Sequence, residues 1–89
     1  MNEPKIEELV LDVLIPLNLS LPTFAMYLVE YKNIESVEVS LIEIDRNTVS
    51  LEVAIQGHDI DYDSLKDHMS EQGAVIHSID KVFVTNMKE

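Results

Sequence analysis

The hydrophobic period of this chain switches repeatedly within 89 residues, between the alternation of a half-buried strand and the three-to-four spacing of an amphipathic helix. The resulting order is strand, helix, strand, strand, helix, strand. A chain this short buries both kinds of element by laying helices on a sheet. Order and length together therefore predict one two-layer α+β domain over residues 1–89, with its core at about 6–84. Such an architecture hosts many unrelated activities, so it constrains the fold far more than the function.

Leu9, Leu11, Val13 and Ile15 alternate with Val10, Asp12 and Leu14, and Pro16, which has no N–H for a ladder, ends the strand. Ser20 is placed to cap a helix expected over 21–32, with Pro22 in its first turn. Leu21, Phe24, Ala25, Leu28 and Tyr31 form its core stripe. Met26, Tyr27 and Val29 are apolar too, which leaves two readings: the helix is wedged between the sheet and the second helix, or it touches another subunit. Residues 37–41 alternate as a second strand, and Ile42-Glu43-Ile44 breaks the alternation. Either the strand bulges near Leu41 or its far end is buried by a partner. Turn chemistry at Asp45-Arg46-Asn47-Thr48 leads into a third strand at 49–56, the cleanest alternation in the chain. A second helix follows at about 62–72, capped by Asp61 or Asp63, with Leu65 and Met69 as its spine and Gly73 as its stop. The last strand is expected at 75–84, and residues 85–89 are expected to fray.

Two right-handed split βαβ units interleave to give spatial order 4-1-3-2 with both helices on one face, the ferredoxin-like βαββαβ arrangement. The other face is left open. Its expected residues are Val10, Leu14, Ile42, Ile44 and Ala54 beside Asp12, Glu38, Ser40 and Glu52. Exposed, that apolar set is a patch monomers avoid, so a homo-oligomer is expected, as a ring or higher assembly.

Composition excludes several classes of function. Seventeen acids face six bases, a formal charge of -11, so a phosphate backbone or an anionic membrane surface is repelled. The absence of cysteine removes disulfides, zinc-thiolate sites and a cysteine nucleophile. No apolar run approaches the ~20 residues of a membrane span. The acidic start of the chain lacks the pattern of a signal peptide. A cytoplasmic protein is expected. The surplus acid has two uses, keeping a small domain soluble or collecting a cation.

Asp59-x-Asp61-x-Asp63 has the opening spacing of an EF-hand loop, but the sixth and twelfth positions are Ser64 and Ser70, where the loop needs Gly and Glu, and Glu71 comes one late. These acids read better as helix-capping groups. Glu43 and Asp45 share a face at the end of the second strand, Asp12 lies near the end of the first, and His77 and Asp80 belong to the fourth. Strands two and four are opposite edges of one subunit. In a ring joined edge to edge, His77 of one copy meets Glu43 or Asp45 of the next. Carboxylates alone suit calcium or magnesium, and an added imidazole suits zinc, nickel or manganese. The metal-ligand candidates are therefore Asp12, Glu43, Asp45 and His77, for a divalent cation such as calcium. Against this stands the plainer reading of solvated turn acids and a hydrogen-bonded strand histidine. No catalytic residue is expected: Ser78 follows His77 directly and so points to the opposite face, and with two glycines in all no nucleophile elbow or phosphate-binding loop occurs.

Leu11-Asp12 followed by Pro16 and Pro22-x-x-Ala25, then Leu41-Ile42-Glu43-Ile44-Asp45, Ile55-Gln56-Gly57-x-Asp59-Ile60-Asp61 and Gly73-x-x-Ile76-His77-Ser78-Ile79-Asp80-x-Val82, together resemble the archaeal family called domain of unknown function 211, over about residues 6 to 84. The resemblance implies a ferredoxin-like subunit, similar to the regulatory ACT domains, that assembles into rings or larger oligomers. It implies no activity and no catalytic residues. The expected function is a small oligomeric binding or regulatory module that senses a divalent cation or small ligand at subunit interfaces. The alternative is a structural or adaptor protein that recruits a protein partner through an edge strand or the first helix, without a small ligand.

Overall fold

A computed structural model describes residues 2–88, with side chains to residue 86. The alternating runs form β1 (Asn2–Pro16), β2 (Ile34–Ile44), β3 (Thr48–Gly57) and β4 (Val75–Lys88), and the helical runs form α1 (Leu21–Val29) and α2 (Tyr62–Ser70). The sheet order is β2-β3-β1-β4, all neighbours antiparallel. This is the expected ferredoxin-like order, read from the other edge.

Leu9, Leu11, Val13 and Ile15 of β1 and Val49, Leu51, Val53 and Ile55 of β3 form one core with Phe24 and Leu28 of α1 and Leu65 and Met69 of α2. Both helices therefore cover the same face of the sheet. Each of these side chains contributes roughly 1.5–3 kcal/mol by leaving water, and only Phe24 among them is aromatic. Ser20 accepts from the Thr23 amide at 3.2 Å and Asp61 from the Ser64 amide at 3.1 Å, so α1 starts on the expected cap and α2 on Asp61 of the two candidates. Gly73, at φ +79°, leads the chain out of α2. α1 stops at Val29 rather than at residue 32. Its last carbonyls are taken by three-residue turns, Tyr31 N to Leu28 O at 3.1 Å and Ile34 N to Tyr31 O at 3.2 Å, and Asn33 then turns at φ 67° into β2.

Part of the apolar surplus on α1 is covered by the second helix. Tyr27 and Tyr31 reach α2, where they stack on either side of His68 with ring centroids 4.1 and 4.3 Å away. Met26, by contrast, is 68% exposed. The Tyr27 hydroxyl lies 2.8 Å from the His68 carbonyl, 3.0 Å from Glu71 and 3.2 Å from the His68 ring Nδ1, and its one proton goes to one of these. Burial raises the pKa of this phenol, and Glu71 adds to the shift.

The central pair β1–β3 is in unbroken register from Glu8↔Gln56 to Pro16↔Thr48, whereas both outer pairings are interrupted. The β1–β4 ladder shifts at Ile6/Glu8, Val10/Leu11 and Asp12/Val13, leaving Glu7, Asp80 and His77 as inserted residues. The β2–β3 ladder shifts at Ile34/Ser36 and Leu41/Glu43, inserting Glu35 and Ile42. The bulge reading of Ile42-Glu43-Ile44 is therefore the right one, and it corrects the expected open face. One extra residue restores the face that alternation would have reversed. Glu43 pairs with Ser50 on the open face, and Ile44 pairs with buried Val49 on the helix side. The open face accordingly carries Val10, Leu14, Ala54, Val75 and Phe83 among Glu8, Asp12, Glu38, Glu43 and Glu52. Exposed apolar side chains lie on both edge strands, at Leu41, Ile42 and Ile44 on β2 and at Val75, Ile79, Val82, Phe83 and Val84 on β4.

The expectation of a frayed tail is also corrected. Residues 85–88 pair with Asn2–Lys5, extending β1 and β4 as a two-stranded ribbon past the start of β3 pairing. Residue 89 lies outside the described residues. Fifteen strand residues at about 3.3 Å each reach roughly 50 Å, which matches the 50 Å long dimension of the molecule. Strand β1 sets its length.

Candidate functional site

Two regions of the sheet bring chemically active side chains together, one at each end. At the end where β1 and β2 finish and β4 begins lie the residues singled out from the sequence. Glu43 is exposed on β2, and Asp45 follows in the turn, where it accepts from the Arg46 amide at 2.7 Å. Asp12 sits on the open face of β1 between Glu52 of β3 and Ser78 of β4. His77 is the inserted residue of a β4 bulge and is exposed. Asp80, inserted at the next bulge, accepts from the Ser78 hydroxyl at 2.8 Å. A bulge re-aims the side chain it inserts. The four candidates thus share one end of the sheet, but β2 and β4 are its opposite edges. Three strand spacings of about 4.8 Å put these edges roughly 14 Å apart. Among the described residues no three His, Asp or Glu side chains gather as a metal centre within one chain.

The Asp59-x-Asp61-x-Asp63 run is not a calcium loop. Asp61 is the cap of α2, and Asp59 turns the chain at φ 52° and pairs with Lys5 at 3.2 Å.

The other end was not anticipated from the sequence. Where β3 finishes, Glu8 of β1 accepts from Gln56 at 2.9 Å and meets Lys81 of β4 at 2.5 Å, and the Ser36 hydroxyl donates to Gln56 at 3.2 Å. One polar row so crosses the sheet from edge to edge. The Lys81 ammonium, helped by the Gln56 amide, holds the Glu8 carboxyl below the usual carboxylate range. Next to this row His58, just beyond β3, faces two inserted glutamates. Its Nε2 lies 2.7 Å from Glu35 and its Nδ1 lies 3.5 Å from Glu7. The charge of Glu35 first, then the hydrogen bond to Glu7, raises the pKa of the imidazole. Glu7, Glu8, Glu35, Gln56, His58 and Phe83 line an open cavity of about 220 Å³, and a second of about 180 Å³ adjoins it, sharing Glu8 and Gln56. The imidazole stands between Glu7 and Glu35, each on its own ring nitrogen. One ion cannot replace both contacts, so this corner is an ion-pair cluster and not a three-ligand metal site.

One signal for this corner does exist in the sequence. Ile6 and Leu9 both pack on the core three residues apart, as do Ile34 and Val37. In a strand, two apolar residues at that spacing share a face only if one residue between them is inserted.

The family model for domain of unknown function 211, described as uncharacterized ArCR, matches residues 7–87. A protein of the archaeon Methanocaldococcus jannaschii, "Uncharacterized protein MJ0319", is 35% identical over 77 residues, covering 86% of this chain and 79% of the relative. The ferredoxin-like topology of the chain is the one the resemblance implied. By the extent of these matches, the chain belongs to the uncharacterized archaeal family of domain of unknown function 211.

Proposed function

We propose that the protein is a small self-associating binding module that takes a divalent cation or small ligand where the edge of one copy meets the edge of the next. The observation that carries this reading is the pair of long unpaired edges. β2 and β4 each leave one side of their backbone unpaired and expose aliphatic side chains beside it. Long apolar edges of this kind invite pairing with another chain. β2 and β4 run in opposite directions, so β4 of one copy laid along β2 of the next continues the antiparallel sheet. That pairing brings the start of β4, with His77 and Asp80, to the end of β2, with Glu43 and Asp45. Oxygen ligands there suit calcium or magnesium, and His77 extends the choice to zinc, nickel or manganese. We place the module in the cytoplasm, with no catalytic role and no nucleic-acid partner, in keeping with its formal charge of -11. No helix among the described residues is long and apolar enough to cross a membrane.

Sedimentation velocity at micromolar protein, with calcium and then with chelator, tests this. The expected outcome is an assembly larger than one chain whose melting temperature rises with the ion. An ion at about a hundred times its dissociation constant adds roughly 2.7 kcal/mol when only the assembled fold binds it. Glu43→Gln with His77→Gln abolishes the response to the ion. A monomer indifferent to every common divalent ion sinks the reading.

A second reading, an adaptor that recruits a protein partner without a small ligand, has its own support. On the outer side of α1, Met26 is 68% exposed and Leu17, just before the helix, is 50% exposed. A stoichiometric protein partner lost on Met26→Asp, with no effect of ions, favours it.

A further inference from the structure

We propose that His58 is a proton-operated clasp, which ties β1, β2 and the end of β3 together while protonated and lets that corner loosen when it gives up the proton. The proposal rests on four features that meet at one place. The first is the pair of bulges: Glu7 and Glu35, inserted in β1 and β2 on either side of β3, each put a carboxylate on a different nitrogen of the same ring. A neutral imidazole has one N–H and donates to one of them; only the imidazolium donates to both.

The second is the rigidity of the backbone that delivers the ring. The His58 amide donates to Asn33 O at 2.9 Å, Asn33 Nδ2 donates to Asp59 O at 3.2 Å, and the Ile60 amide donates to Ile6 O at 2.9 Å. Gly57 lets the strands approach this closely, since a Cβ there would lie 2.0 Å from Asn33 O. The third is local strain. Asn33 and Asp59, at φ 67° and 52°, are the non-glycine positive-φ positions among the described residues, and both flank the clasp. Residues held there persist only where their surroundings hold them.

The fourth is the charge around the ring, taken from every element that meets it. β1 supplies Glu7, and also Glu8, which is engaged by Lys81 of β4. β2 supplies Glu35. The connection to α2 supplies Asp59, which holds Lys5, itself also near Glu3 at 3.9 Å. Phe83 of β4 is an uncharged wall. Among the described residues, His58 is the ion-pair partner of both Glu7 and Glu35. Loss of its proton leaves two carboxylates facing each other across a neutral ring, at the mouth of the cavity of about 220 Å³.

The direction with pH follows. The folded chain holds the His58 proton more firmly than the ordinary value of 6.5 implies. The clasp is therefore fully present below that value and is lost as pH rises through the higher folded one. His58, Glu7 and Glu35 lie at the opposite end of the sheet from Glu43 and His77, so the clasp and the seam are tested separately.

The experiment is a pH titration of the His58 ring by NMR, together with hydrogen-exchange protection factors of the His58 and Ile60 amides. The wild-type chain is compared with the Glu7→Gln/Glu35→Gln double variant and with His58→Gln. The expected result is a His58 midpoint above 6.5 in the wild type that falls in the double variant. Both protection factors should drop roughly two- to fivefold across the wild-type midpoint, the size expected of exposed ion pairs, and stay flat in His58→Gln. Because the double variant keeps the size of both side chains, it isolates charge from packing. A midpoint indifferent to the two glutamates, or wild-type protection factors flat across the titration, overturns the proposal.

Discussion

At the residue scale, two glycines and one carboxylate carry more than their size suggests. A Cβ on Gly57 would sit 2.0 Å from a backbone oxygen of Asn33, an atom that cannot swing aside. Gly57→Ala must break the strand-end contact, at least the amide bond from His58 to Asn33, for a loss of about 1–3 kcal/mol. Gly73→Ala meets a flexible proline ring atom at 3.1 Å but holds φ +79°, for about 1–2 kcal/mol. Thermal melts should rank Gly57→Ala as the more damaging, and equal melting temperatures would contradict the close approach. Glu8 shows itself on the acid side. Lys81 and Gln56 lower its pKa in the folded chain, so its contribution is present above the unfolded carboxylate's titration and is lost as pH falls through the lowered value. In Lys81→Met, acid unfolding should begin at higher pH than in the wild type, as followed by circular dichroism.

At the element scale, the regular centre and irregular edges of the sheet make opposite demands on a deletion. Strand β3 has one face in the core and pairs with β1 without interruption from Thr48 to Gln56. Removing Ala54 moves every residue on one side of it to the wrong face, and the chain should not fold. Ile42 is the inserted residue of its bulge, so removing it leaves Leu41 opposite Leu51 and Glu43 opposite Ser50, as now. That deletion should fold with a melting temperature close to the wild type's. The same irregularities were partly legible in the chain. Ile6/Leu9, Ile34/Val37, Leu41/Ile44, Ile76/Ile79 and Ile79/Val82 are apolar pairs three residues apart that bracket the five inserted residues, although Val10/Val13, Leu11/Leu14 and Leu51/Ala54 have the same spacing with no residue inserted between them. Read as broken alternation, such spacing suggests a strand buried on both faces. At these five places it accompanies a residue pushed out of the ladder. Four of the five inserted residues are Glu7, Glu35, His77 and Asp80, all ionisable side chains.

At the scale of the whole molecule, the long β1–β4 ribbon and the open edges of β2 and β4 decide what surface is offered to a partner. The open face is more acidic than the alternation of β2 implied, because the bulge at Ile42 moves Ile44 to the helix side. Its 63% exposed side chain still lies beyond the cover of the helices. The exposed aliphatic side chains lie on the edge strands β2 and β4, Val75 and Phe83 also on the open face, and the proposed self-association uses those edges. The proposed assembly accordingly continues sheets edge to edge, as the element order led us to expect, and does not pack them face to face. The measurement that separates these is protection of β2 and β4 amides in hydrogen exchange: edge pairing protects their outward N–H groups on association, and face packing leaves them as they are.

Element order, the aliphatic core, both helix caps and the glycine that ends α2 were all written in the chain itself. Each follows from which residues lie one turn or one pleat apart, and such spacing is a local property. The bulge near Leu41 apart, the positions of the inserted residues, and so the meeting of Glu7 and Glu35 on His58, were decided only in the folded sheet. A bulge is a mismatch between two strands, and a single strand does not state what its neighbour will hold opposite. Element order and handedness already placed Glu43 and His77 at one end of the sheet but on opposite edges, and the folded sheet bears that placement out. Their distance depends on three strand pairings between segments far apart in sequence.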